Sequence, residues 1–378
     1  MRKGKGRKLS KRGQLNRTNP VSITHFTLAN DLEVICLPLD YADYVSLNLV
    51  MPSGVIHDPS DESGSALLLA ELLGRGAGNY DSRSLLTAFD DHGIRHGESA
   101  SLLHTSLRSS FLPGELENAF GLLSSMILEP HFPEEALEPV KSLFLHDIRS
   151  IQENPSRWAM MELSNRYFPA PYDRSILGDE KGILSVTRDS LVEHWKTNFG
   201  PKGAVLSLAG NFDLETLRGT IEAKLGGWSG ESLGAPVLEE LPAPASFFID
   251  VPGSQQHLVL RAPSAVMESK SYYVAKVFSQ ILSGGMFGRL FVEVREKRGL
   301  CYTVFGQHSA RKDYGSFTIY AGTTPERVHE THQVIVDIMQ DPLKELTEQE
   351  LQRAKNNLLS QIVLSEESTN ARSRRTTR

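Results

Sequence analysis

Residues 133–148 read PEEALEPVKSLFLHDI and residues 347–362 read TEQELQRAKNNLLSQI, each the body of a long helix. What precedes them matches too. SSFLPGELENAFGLLSSMI (109–127) and SFTIYAGTTPERVHETHQVIVDIM (316–339) both read as a strand followed by a helix. Further upstream, the strand Gln256 to Ser264 resembles Val45 to Gly54, and the helix Tyr272 to Ser283 follows it as Ser65 to Leu73 follows the first. The offset is about 210 residues, far too long for a solenoid repeat. It predicts two copies of one α+β domain, each pairing a sheet with helices.

Working outward, Ile23 to Leu37 reads as two short strands around the turn Ala29-Asn30-Asp31. Val45 to Met51 alternates, which predicts a half-buried strand with Val45, Leu47, Leu49 and Met51 on one face. Short helices are expected over 83–92, Glu115 to Leu128, Ser185 to Asn198 and Asp213 to Leu225, with a strand pair over 97–112 and a buried strand over 203–210. Residues 226–245, GGWSGESLGAPVLEELPAPA, have no period and are rich in Gly and Pro, so they read as a linker. The expected organisation is a basic disordered tail over 1–21, a first domain over 22–225, the linker, and a second domain over 246–378.

The chain has 378 residues, 40% apolar and 23% charged, with a net charge of −6. That is an ordinary globular composition and does not point to a nucleic-acid binder. Cys36 and Cys301 are too few and too far apart to suggest a disulfide framework or a cysteine metal cluster. No apolar run approaches the roughly 18–20 residues that span a bilayer, so no membrane association is expected. The N-terminus, MRKGKGRKLSKRGQLNRTNP, is basic without the apolar stretch a secretory signal needs. It reads as a solvated tail or a weak polyanion-binding arm, and the location expected is cytoplasmic.

The chemistry-bearing stretch of the first half is Gly64-Ser65-Ala66-Leu67-Leu68-Leu69-Ala70-Glu71-Leu72-Leu73-Gly74-Arg75-Gly76. In the second half it is the run Leu282 to Val304, LSGGMFGRLFVEVREKRGLCYTV. Together they resemble the M16 (pitrilysin, insulinase, mitochondrial processing peptidase) metallopeptidase family over about residues 22–366. The family's zinc helix carries His-x-x-Glu-His: two histidines on one helix face hold zinc and the glutamate activates the metal-bound water. Here the frame of Gly64, Ala66 and Gly76 is kept, but Leu67 stands at the first histidine position, Ala70 at the base and Glu71 at the second histidine. Asp147 falls at the third-ligand position. Leucine and alanine cannot hold a metal, so no metal site and no cofactor are expected in this chain. His329 and His332 are three apart on an amphipathic helix, His92 and His96 are separated by Gly93, and His57 is solitary, so none of them reads as a rival site.

The second run resembles the family's G-G-x-x-S-R-L-x-x-x-x-R-E-x-x-G-L-x-Y-x-V pattern, with Gly288 where serine is common. By that resemblance Arg295 and Tyr302 are the donors that reach across a clamshell to hold the substrate carbonyl and its developing oxyanion. The resemblance implies a zinc-less, non-catalytic subunit of a heterodimeric endopeptidase of the bacterial type, inactive alone, with zinc in a paralogous partner. A peptide or unfolded polypeptide would be the substrate. The alternative is a scaffold of the same fold, like respiratory-complex core subunits. The strand Ser99 to Phe111 sits where family members take substrate by strand addition. Judged against the family, about 40 residues are missing after Ser368, so the second domain is expected to lack an edge strand and a packing helix.

Overall fold

A computed structural model describes residues 23–376, apart from 242, 252, 343 and 366–367. The expected basic tail over 1–21 lies outside the described residues. The first half contains β1 (Thr24–Thr27), β2 (Glu33–Pro38), β3 (Val45–Met51), α1 (Ser65–Leu73), the small hairpin β4 (Gly76–Ala77) and β5 (Tyr80–Asp81), and α2 (Ser82–Asp91). It continues through β6 (Arg95–Ala100), β7 (Thr105–Phe111), α3 (Leu116–Leu128), α4 (Glu134–Gln152), α5 (Pro155–Tyr167), α6 (Glu180–Ser185), α7 (Arg188–Asn198), β8 (Val205–Gly210) and α8 (Leu214–Leu225). The second half has β9 (Gln256–Pro263), α9 (Tyr272–Ser283), β10 (Cys301–Ala310), β11 (Gly315–Thr323), α10 (Val328–Gln340), α11 (Glu348–Ser365) and α12 (Thr369–Thr376).

The first sheet runs β1-β2-β8-β3-β7-β6 and the second β10-β11-β9. The repeat maps β3-β7-β6 onto β9-β11-β10, so the two sheets share one order. One face of the large sheet is apolar. Val45, Leu47, Leu49 and Met51 of β3 pack there with Leu68, Leu69, Leu72 and Leu73 of α1, and with Phe120 and Phe144. Each such side chain, fully buried, contributes about 1.5–3 kcal/mol. This face makes β3 legible as an alternating strand.

The opposite face was expected to meet solvent. It does not: Ser46, Asn48 and Ser207 are buried. The cover is α12, which lies across β3 and β8. Thr369 Oγ1 is 2.9 Å from Ser46 Oγ, and the Ser207 hydroxyl donates to the Ser373 carbonyl. The repeat returns this contact in kind. Helix α5 follows α4 as α12 follows α11, and α5 packs on β9, the counterpart of β3. Each half thus sends one helix onto the other half's sheet. Around the α5 seam, Arg261 stacks near Tyr167 and Phe168 and donates to Ser164 Oγ, while Tyr172 donates to Asp313 Oδ2 at 2.9 Å.

Three local readings need correction. Helix α5 has no counterpart among the sequence expectations, although Asn154 caps it and Pro155 stands in its first turn. The helix expected over Ser185 to Asn198 starts at Arg188, because Thr187 is extended and caps α7 by accepting from the Ser190 N–H; Ser185 instead ends α6. The linker is a docked strap: Trp228 is buried with its indole N–H on the Phe199 carbonyl, and Asn30 donates to the carbonyls of Leu225 and Trp228.

The second sheet has no described counterpart of β8. In the first half β2 pairs in parallel with β8 alone on its inner side. The segment 247–251 stands at the place of β2 in the repeat, and it forms no strand. Backbone groups with no neighbouring ladder have nothing to pair with, so the segment stays irregular. Cys36 and Cys301 are both free and buried in different halves.

Candidate functional site

The helix that corresponds to the zinc helix, α1, starts at Gly64, whose φ of +110° favours glycine and where a Cβ would come within 2.9 Å of Ile183. Its free N–H groups are taken by Asp58: Oδ2 accepts from Gly64 at 2.7 Å and Oδ1 from Ala66 at 2.9 Å. Burial pushes the Asp58 carboxyl up to about 7, against the pull of those N–H groups and of nearby Arg174. Arg174 donates to the carbonyls of Val55, Ile56 and Asp58, which holds the turn in front of the helix.

The helix is therefore held firmly at its start. Leu67 packs partly buried against the main core, and Ala70 is 2% exposed. Glu71 is held by Arg75, whose guanidinium donates to it at 2.6 Å. Asp147 sits half-buried on α4, and α4 packs on α1, so the two helices do meet as the resemblance implies. Yet among the described residues no group of three or more His, Cys, Asp or Glu is placed to hold a metal. Leu67 and Ala70 have no lone pairs to give, and a catalytic zinc takes about three protein ligands. These residues do not fit zinc. His329 and His332 face solvent, while His92 and His96 pair with Glu115 and Glu98.

Arg295 and Tyr302 come together. Residues Phe291–Glu296 form a π-helical turn, seen in the 2.9 Å bond from the Lys297 N–H to the Val292 carbonyl. Such wide turns are frequent at functional sites. Gly299, at φ +60°, closes the turn into β10. There the ladder slips: Cys301 pairs with Thr323 and Thr303 with Gly322, so Tyr302 is the extra residue of a bulge. The bulge turns Tyr302 outward, and it is 76% exposed. The Arg295 guanidinium lies 5.1 Å from the Tyr302 ring centre and 4.9 Å from that of Phe291. Among the described residues Arg295 forms no ion pair. A packing role for Tyr302 is excluded by its exposure.

The neighbouring residues of the run are structural. Arg289 forms a bidentate pair with Glu350, at 2.8 and 3.1 Å, and donates to the carbonyls of Pro342 and Lys344. This fixes the start of α11 and holds the Glu350 carboxyl down to about 2. Gly288 has a steric reason: a Cβ there would meet the Leu282 carbonyl at 2.8 Å.

The strand-addition site needs a correction. Residues Ser99 to Phe111 span two strands, and β7 is interior, paired with β3 on one side and β6 on the other. It cannot accept a third partner. Among the described residues it is β6, at Arg95–Ala100, that of these two strands pairs on one side only.

Comparison with known proteins places these features. Residues 34–180 match the family described as insulinase (peptidase family M16), and residues 185–358 match the peptidase M16 inactive domain. An uncharacterized zinc protease of Rickettsia felis is 26% identical over 346 residues, covering 90% of this chain and 83% of the relative. The uncharacterized zinc protease YmxG of Bacillus subtilis is 26% identical over 358 residues, 93% of this chain and 86% of the relative. The crystal structure of a peptidase M16 inactive domain from Pseudomonas fluorescens superposes with a TM-score of 0.83 at 25% identity, covering 90% of this chain and 84% of that one. A protease from Helicobacter pylori shares the fold, with a TM-score of 0.84 at 18% identity over 95% of this chain and 89% of that one.

Proposed function

The chain belongs to the M16 peptidase family, and on that premise we propose that it is the zinc-less, non-catalytic subunit of a heterodimeric zinc endopeptidase in the cytoplasm. The observation that carries this reading is the contrast between the two halves. Leu67 and Ala70 leave α1 without ligand or base, while a half-buried Arg295 and an exposed Tyr302 are adjacent and held by a π turn and a bulge. In the complex, zinc and the water-activating glutamate belong to a paralogous partner. This chain supplies two donors. The guanidinium and the phenol hold the carbonyl oxygen of the scissile peptide bond and the charge that grows on it as water attacks.

The test is peptide hydrolysis by the chain mixed with a zinc-bearing M16 paralogue. Arg295→Ala and Tyr302→Phe are each expected to lower kcat by about 10²–10³-fold, the usual cost of losing an oxyanion donor. The chain alone is expected to be inactive. Full activity of a complex carrying both changes overturns the reading.

A second reading, an assembly scaffold without a catalytic role, has its own observation. Tyr273 and Val274 of α9 and Leu359, Val363 and Leu364 of α11 are exposed. These apolar residues suit a partner that covers them. Under this reading the Arg295 and Tyr302 variants leave every measured activity unchanged, while the chain still copurifies in a stable assembly.

A further inference from the structure

The polar face of the large sheet is only partly covered. In the ladder, Arg95 stands beside Ser110, Gly97 beside Arg108 and Ser99 beside Ser106; Ser46 and Asn48 of β3 continue these rows inward. Helix α12 lies over β3 and β8. The rows of β6 and β7 are left open, and between them and α12 runs a groove of about 560 Å³. Arg95 and Arg108 line it from the sheet, and Arg374 and Asn370 from α12.

Three guanidinium groups thus line one groove. Arg108 donates to Ser99 Oγ at 3.1 Å and Arg374 to the Asn370 carbonyl at 3.3 Å. Among the described residues neither Arg95 nor Arg108 forms an ion pair. Burial and the like charge of Arg374 both lower the pKa of Arg108, the mark of a cation short of a counter-charge. The only carboxylate among the described lining residues is Glu98, which points to the other face of β6 and is held by His96 at 2.8 Å. At Gly97 a side chain would meet nothing within 4 Å, so the space above Arg108 is open.

We propose that the edge of β6 takes an extended acidic peptide segment as an added strand, with its alternate carboxylates directed over the open rows of the sheet at Arg95 and Arg108. The proposal rests on the peptide-binding reading above and adds the substrate class. Backbone pairing to β6 gives register without sequence preference. Side chains two apart on an added strand share a face, so every second residue meets the arginines. Arginine forks take carboxylates in paired, charge-assisted bonds.

The test uses the full chain alone, without partner, and fluorescence anisotropy of labelled ten-residue peptides. One alternates threonine and glutamate, one threonine and glutamine, and one threonine and lysine. The glutamate peptide is expected to bind at least tenfold tighter than the glutamine peptide, more weakly as salt rises, and the lysine peptide not at all. Arg108→Gln and the exposed-site variant Arg95→Gln are each expected to weaken the glutamate peptide about tenfold. Equal binding of the glutamate and glutamine peptides overturns the acidic preference and leaves strand addition standing. No binding of either overturns the β6 site, while the roles of Arg295 and Tyr302 are judged separately in the mixed complex. Binding of an oligothymidylate in preference to the glutamate peptide overturns the peptide assignment in favour of a phosphate backbone.

Discussion

The guanidinium of Arg295 and the ring of Tyr302 are 5.1 Å apart, although six residues of chain separate them and one leaves a helical turn while the other stands in a strand. Two irregularities make the contact: the π turn sets the direction of Arg295, and the bulge turns Tyr302 out of the ladder. Tyr302 is exposed and Arg295 half-buried, and neither belongs to a core cluster. Arg295→Ala and Tyr302→Ala are therefore expected to cost at most about 1 kcal/mol in urea unfolding, the worth of one exposed cation–π contact. A larger loss would mean that the pair is structural, and the activity test above would have to be read through folding.

Zinc binding is the second check. The chain after dialysis is expected to hold well under one zinc per molecule by elemental analysis. A variant carrying Leu67→His, Ala70→Glu, Glu71→His and Asp147→Glu puts ligands and base on the α1–α4 platform. Its melting temperature is expected to rise with added zinc and to fall back with chelator, because binding to the folded state alone is linked to stability. A stoichiometric metal in the unaltered chain would sink the account of α1.

The Arg289–Glu350 pair gives a pH dependence. The folded-state pKa of Glu350, about 2, lies below the roughly 4.3 of an unfolded glutamate. Its contribution is therefore complete above that unfolded value and is lost as pH falls from about 4 towards 2. Arg289→Ala removes the pair and two carbonyl contacts, and is expected to destabilise the second half by about 2–4 kcal/mol. Urea unfolding between pH 6 and 3 should show the acid-side slope attributed to Glu350 in the unaltered chain and a flatter one in the variant.

The unpaired segment 247–251 predicts where the chain is first cut. Phe248 is 74% exposed and its backbone belongs to no ladder. Limited chymotrypsin digestion is expected to cleave after Phe247 or Phe248 before it touches β2, the paired counterpart in the first half. First cleavage within 33–38 would contradict the comparison of the two halves.

Much of this was legible without coordinates. The ends of α1 at Ser65–Leu73 and of α9 at Tyr272–Ser283 agree with their reading, because apolar periodicity and glycine stops are local signals. That Leu67, Ala70 and Glu71 share one face of α1 was readable for the same reason: a helix face is set by spacing alone. Helix α5 was missed although its cap, Asn154, is a local signal. The assignment of strand addition to Ser99 to Phe111 failed because which strand is an edge depends on partners distant in sequence. Arg95, Arg108 and Arg374 carry no common motif; only the alternation of Arg95, Gly97 and Ser99 hinted at one face.

By itself the sequence determined that the chain is a duplicated α+β protein of the M16 family, because duplication, periodicity and motif spacing are written residue by residue. Only the tertiary structure decided that each half sends a helix onto the other's sheet, that β7 is an interior strand and β6 is not, and that Arg295 meets an exposed Tyr302. Those facts depend on contacts between segments far apart along the chain, where burial and pairing choose among partners that no local pattern names.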